Sequence, residues 1–315
     1  MANLTEDGNY TTRSGNKEFL CTSVTGAAEK IFIYATSFPL SITAFLGNVL
    51  VIFALQKVSS LHPPSKLLLG CLAFTDLGVG LVVHPLRLGS YLSSDHSKAR
   101  YYLFIVYHAT GFVFAGVSLL IITAISVDRL LSLSLGLRYR QVVTVRRAKA
   151  LVATFWVLNS LLATIAFYSL RVALQIAFTV LLSCMIISTF CYINIYRTLR
   201  LRCSPAQEQG QGHRGKPTGE GIQVNKARYK KTVSTAMWVQ ITLTVCYLPY
   251  GLVGASNTIT GLNTPSLSFA VTLSTSLLLS NSTINPFIYC WRMSEIRQAV
   301  KEKIRQICSS SHKET

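Results

Sequence analysis

ITAISVDRLL, residues 122–131, closes the third of seven apolar stretches, and its ending decides how the chain is read. A lipid-soluble run that stops on Asp128-Arg129 sets two charges where hydrocarbon gives way to water. Ionisable groups at membrane depth cost several kcal/mol and therefore mark function. The neighbouring stretches carry their own out-of-place residues: Asn48 in FLGNVLVI, Asp76 in CLAFTDLG, Trp156 in the fourth, Pro249 in CYLPY and Asn285-Pro286 in NPFIY.

Composition agrees with a membrane chain. Half of the residues are hydrophobic (50%) and only 13% are charged, against about a quarter charged in soluble domains. A helix crosses a hydrocarbon core of about 30 Å with roughly 20 apolar residues, which sets spans at about 31–56, 66–90, 101–133, 148–168, 172–196, 233–258 and 266–290. The fold expected is an all-α seven-helix membrane bundle with a short amphipathic helix after it. Residues 1–30 form an outer tail, 31–290 the bundle and 291–315 a cytoplasmic helix and tail.

The net charge of +18 would suit nucleic acid, but its distribution argues for a membrane topology. Of the 30 Lys and Arg, 23 fall on one side: Lys57, Lys66, six from Arg129 to Lys149, nine from Arg197 to Lys231 and six from Arg292 to Lys313. The positive-inside rule then puts the N-terminus outside the cell, and the basic loops attract anionic lipid. Because the first 30 residues are polar, the first span is expected to act as its own insertion signal. Asn3 and Asn9 stand in glycosylation sequons on the outer tail. Asn281-Ser282-Thr283 also matches the sequon, but it lies inside the seventh span.

The ordered set of residues resembles the rhodopsin-like (class A) G-protein-coupled receptors over essentially the whole chain. Most of that family tie the top of the third helix to an outer loop by a disulfide. Here the matching position near Phe104 has no cysteine, and of eight cysteines only Cys21 is placed outside. Lys149 and Arg197 should both be cytoplasmic with 47 residues between them. Two spans of about 20 residues leave only a handful for the outer turn, which must fall near Tyr168–Arg171. That short turn, and Cys184 where the fifth helix usually has proline, resemble the melanocortin, cannabinoid, lysophospholipid and adenosine receptor branch.

The resemblance assigns roles by position. Asp76, Ser118, Asn281, Ser282 and Asn285 match the oxygen donors that surround an allosteric sodium ion; a cluster that merely knits helices by hydrogen bonds is the alternative. Arg129 is expected to pair with Asp128 at rest and to turn inward towards a heterotrimeric G protein; a snorkelling arginine is the bland reading. The usual second latch is replaced by Tyr229, flanked by Arg228, Lys230 and Lys231, so the resting state is expected to be poorly held. Pro249 lacks an amide donor and is expected to kink the sixth helix. Tyr247 stands for the usual tryptophan and Leu243 for a phenylalanine. Asn285-Pro286-x-x-Tyr289 matches the seventh-helix motif, whose tyrosine would approach Arg129 with Tyr192 in the active state.

On the cytoplasmic side, Leu137 matches the apolar knob that enters the G protein, or else belongs to a turn next to Gly136. Residues 201–225 read as a flexible linker. Trp291, Ile296, Val300, Ile304 and Ile307 fall near one face of a basic amphipathic helix, of the kind that lies on a membrane surface. Cys308 at its end is either a palmitoylation site or a free thiol. Ser309–Ser311 match phosphorylation sites for shut-off, with arrestin as a further partner.

The ligand is less legible. The third helix has no acid near Gly111 for an amine, and Leu279 occupies the retinal lysine's position. Leu86, Phe104 and His108 replace the acids of melanocortin receptors, and Gly254 and Leu279 replace the adenosine-binding pair. A pocket between the outer halves of the helices with His84, Arg87, His108, Phe112, Arg171 and Tyr250 suits an anionic lipid-like small molecule, unless the basic groups only snorkel to the interface. A peptide or nucleoside ligand is the alternative. A small transporter lacks support because no repeats appear, and no metal or nucleophile spacing suggests an enzyme.

Overall fold

The computed structural model describes residues 27–59, 61–93, 97–202, 238, 241–256 and 264–311, and every element among them is helical. Helix α1 spans Ala27–Lys57. Helix α2 starts at Pro63, passes through a π turn at Val79–Val83 and ends at Leu92. Then follow α3 (Lys98–Leu135), α4 (Val145–Tyr168) and α5 (Leu170–Arg202). The described part of α6 is Ile241–Ser256, α7 is Pro265–Arg292 and α8 is Ser294–Ser311. Six of these are long and apolar enough to cross a bilayer, and α6 adds a shorter apolar segment.

Local chemistry sets the helix ends. Ser97 caps α3 by accepting the Arg100 N–H at 3.1 Å, and Thr264 caps α7 through the Leu267 N–H at 3.2 Å; such caps contribute about 1 kcal/mol each. Pro63 and Pro265 open their helices, where a missing N–H costs nothing. Gly136 ends α3 at φ +52°, a conformation that a residue with a Cβ resists. The π turn in α2 ends two residues before Pro85, whose absent donor breaks the α ladder at the Leu81 carbonyl inside that turn.

The expected short outer turn is a single residue. Ser169 donates its N–H to Ile165 O at 2.8 Å, closing α4. The same residue starts α5, its carbonyl accepting the Ala173 N–H and its hydroxyl the Val172 N–H. No hairpin can fit in that space.

Helix α2 is central and α4 peripheral, with 61% of the apolar part of α2 buried against 17% of that of α4. The core joins Val51, Leu72, Val117, Leu181, Leu243 and Tyr289 across the bundle. Helix α8 docks on the C-terminal end of α1. Ile296 is fully buried there, Lys57 meets Glu302 at 3.8 Å, and Lys303 lies over the Phe53 ring. Ile296 and Ala299 form the buried face of α8, while Ile304 and, at the end of α7, Trp291 are exposed.

Candidate functional site

Asp76 lies at the centre of the bundle with no exposure. Ser118 donates to its Oδ1 at 3.1 Å and Asn285 Nδ2 donates to its Oδ2 at 2.7 Å, with Ser282 close by. Asn281 is turned aside and donates to the Tyr247 hydroxyl at 3.4 Å. The set fits a small hard cation in part, since a carboxylate and two hydroxyls are hard oxygen donors. Asn281 and Asn285, however, present amide nitrogen here, so each must turn its oxygen inward to become a ligand.

Asn48 secures the same region. Pro286 has no N–H for the carbonyl four residues before it, that of Ser282. The orphaned Ser282 O accepts instead from Asn48 Nδ2 at 3.0 Å, which also donates to Ala44 O at 2.8 Å. One amide on α1 thus replaces the hydrogen bond that proline removes from α7. Close approach helps, for a Cβ on the neighbouring Gly47 would stand 3.0 Å from the Pro286 ring.

At the C-terminal end of α3 the expected Asp128–Arg129 pair is not formed. Asp128 accepts from Ser65 at 2.7 Å and from the Tyr139 hydroxyl at 2.6 Å. The Arg129 charge is within electrostatic reach of the hydroxyls of Tyr139, Tyr192 and Tyr289 alike, the last two being the residues expected to meet it on activation. Tyr192 is itself held by the Ser126 hydroxyl at 2.8 Å. Two neutral donors from α2 and the loop after α3 satisfy the carboxylate without the guanidinium, which is the physical reason for the difference. Leu137 projects from the turn at Gly136–Arg138 and is 98% exposed. Tyr229 and its basic neighbours, Asn3 and Asn9 lie outside the described residues; Cys308 is on the last turns of α8.

Above Asp76 a cavity of about 310 Å³ opens between α3, α4, α5, α6 and α7, within the usual range for small-molecule sites of about 300–1,000 Å³. His108, Phe112 and Tyr250 line it, as expected; Pro249 lies between Tyr250 and Tyr247 on α6. His84, Arg87 and Arg171 do not. His84 and Arg87 are fully buried behind the cavity wall, and Arg87 Nη2 donates to Thr272 O of α7 at 3.1 Å. Both His84 nitrogens and Arg87 Nη1 have no partner among the described residues. Arg171 is exposed at the start of α5.

Three residues went unnoticed in the sequence. Tyr107 and Asn159 line the cavity, and Glu29 is buried at the N-terminal end of α1, accepting from Thr272 and from Ser268 at 3.4 Å. A lone acid in the first turn of an apolar helix was signal enough to find Glu29. Tyr247 forms the cavity floor, and its hydroxyl meets Asn281 beside Asp76. Cavity and polar centre therefore share one side chain.

The comparison with known families agrees with this geometry. The family described as "7 transmembrane receptor (rhodopsin family)" matches the chain in two overlapping stretches, residues 47–173 and 165–289.

Proposed function

Because the chain belongs to the rhodopsin family of seven-transmembrane receptors, we propose that it turns binding of an extracellular ligand into nucleotide exchange on a heterotrimeric G protein. Members of the family are signalling receptors rather than enzymes, and the chain is a multi-pass membrane protein. The observation that carries the proposal is the continuity from cavity to polar centre through Tyr247. A ligand that displaces this side chain disturbs the Asn281 contact, and with it the packing of α6 on α7.

The receptor sits in the plasma membrane with its N-terminus outside, as the cytoplasmic excess of Lys and Arg supports. Exposed Leu137 enters the G protein, and arrestin binds the phosphorylated tail. Asn3 and Asn9 carry glycans, and Cys308 a palmitoyl chain beside membrane lipid. A sodium ion held by Asp76, Ser118 and Ser282, with Asn281 and Asn285 turned inward, favours the inactive state. The resting state is loosely held, since Asp128 is satisfied without Arg129. The single-residue outer turn favours the melanocortin, cannabinoid, lysophospholipid and adenosine branch. Within it the ligand is an anionic amphiphile. Its tail suits the apolar walls, and His108 is a polar side chain on the lining for its head.

The test is basal nucleotide exchange on a panel of G proteins, in membranes carrying the intact chain or Arg129→Ala. Exchange above background that the substitution abolishes is expected. Exchange that survives the substitution, or none on any G protein, counts against the reading.

A further inference from the structure

The cavity has one thin side, and that side faces lipid. Among its lining residues only Leu158 and Ile176 are large apolar side chains exposed by more than a third, to 53% and 39%. They stand on α4 and α5, the pair joined by Ser169 alone. A side chain that lines a cavity while half exposed is a wall one side chain thick. Leu158 lies ten residues before the end of α4 and Ile176 six residues into α5. At 1.5 Å per residue they are about 15 and 9 Å below the turn, inside the hydrocarbon layer rather than in water.

Around this spot the wall is solid. Leu162, one turn outward on α4, and Leu181, further inward on α5, are buried. Asn159 is pressed against α3 so closely that a Cβ on Gly116 would stand 2.0 Å from its amide oxygen. The gap itself carries no charge and no polar atom that needs a partner. An acyl chain passing it exchanges lipid for an apolar wall with little change in solvation, whereas a polar solute must first cross lipid. Rotamer changes of exposed side chains take ps–ns, so Leu158 and Ile176 can swing aside without movement of either helix.

We infer that the gap between α4 and α5 at Leu158 and Ile176 is a bilayer-facing portal through which the tail of a membrane-dissolved amphiphile enters the cavity. The inference rests on the amphiphile reading of the ligand given above. A portal alters rates and leaves affinity alone, because entry and exit use the same route. A contact residue alters affinity.

The experiment uses the full chain in phosphatidylcholine nanodiscs with cis-parinaric acid as the probe, and energy transfer from the protein's tryptophans follows binding in stopped flow. Leu158→Ala with Ile176→Ala opens the gap, and Leu158→Phe with Ile176→Phe plugs it; neither pair changes the tryptophan content. Association and dissociation should both accelerate about threefold or more in the first pair and both slow in the second, each by more than the dissociation constant moves, since both side chains also line the cavity. Saturable binding of the probe by each variant also shows that it is folded. Rates equal to wild type in both pairs, or a change in affinity carried by dissociation alone, would overturn the portal while leaving the amphiphile reading standing. No energy transfer in wild type above empty nanodiscs would overturn the amphiphile reading and the portal with it.

Discussion

Tyr139→Phe removes one oxygen atom and tests why Arg129 is free. The phenol donates to Asp128 Oδ1 at 2.6 Å and lies 3.3 Å from the Ser65 hydroxyl. A hydrogen bond to a charged group contributes about 1.5–3 kcal/mol, equivalent to a factor of about 10–150 in an equilibrium. Without it, Asp128 keeps Ser65 as its one neutral donor and becomes free to draw in Arg129. The ring still fills its place beside His62, where the centroids are 4.8 Å apart, so packing is preserved. Re-pairing of Asp128 with Arg129 withdraws the guanidinium from Tyr192 and Tyr289. Basal exchange should then fall, by about tenfold if the lower value applies. The assay is basal binding of a non-hydrolysable GTP analogue, normalised to receptor number in the same membranes. Basal exchange equal to or above wild type would refute the idea that Tyr139 keeps Asp128 and Arg129 apart.

Two further outcomes follow from the polar centre. Asn48→Ala leaves the Ser282 carbonyl without a donor and should destabilise the detergent-solubilised receptor by about 1–3 kcal/mol, measured as a lower melting temperature; Pro286→Ala restores a backbone N–H to that carbonyl and should recover part of the loss in the double variant, whereas simple addition of two losses would contradict the proline argument. Replacing choline chloride by sodium chloride should raise the melting temperature and lower basal exchange, with about 1.4 kcal/mol expected at ten times the dissociation constant. Asp76→Asn should abolish both responses, and a sodium response that persists in that variant would place the ion elsewhere.

A bilayer imposes its thickness on any chain that crosses it, so the spans, the amphipathic α8 and the short turn at Ser169 were legible as lengths. Polar residues at membrane depth are costly enough to stand out singly, which is why Asp76, Asn48, Asp128-Arg129 and Asn285-Pro286 announced themselves. The direction in which a side chain points is another matter, since it depends on how each helix is rotated against its neighbours. The π turn at Val79–Val83 inserts one residue, and at 3.6 residues per turn this rotates everything after it by about 100°. Arg87 therefore meets Thr272 of α7 instead of the cavity it was expected to line. Tyr107 on α3 and Asn159 on α4 entered the site unannounced because the rotation of those helices against their neighbours has no local signature either. Adjacent residues on a helix also diverge by about 100°, and whether Asp128 holds Arg129 was decided by Ser65 and Tyr139, which approach it from α2 and from the loop after α3. Membrane chemistry wrote the elements and their polar exceptions into the chain; helix rotation and cross-bundle contacts, which have no local signature, chose their partners.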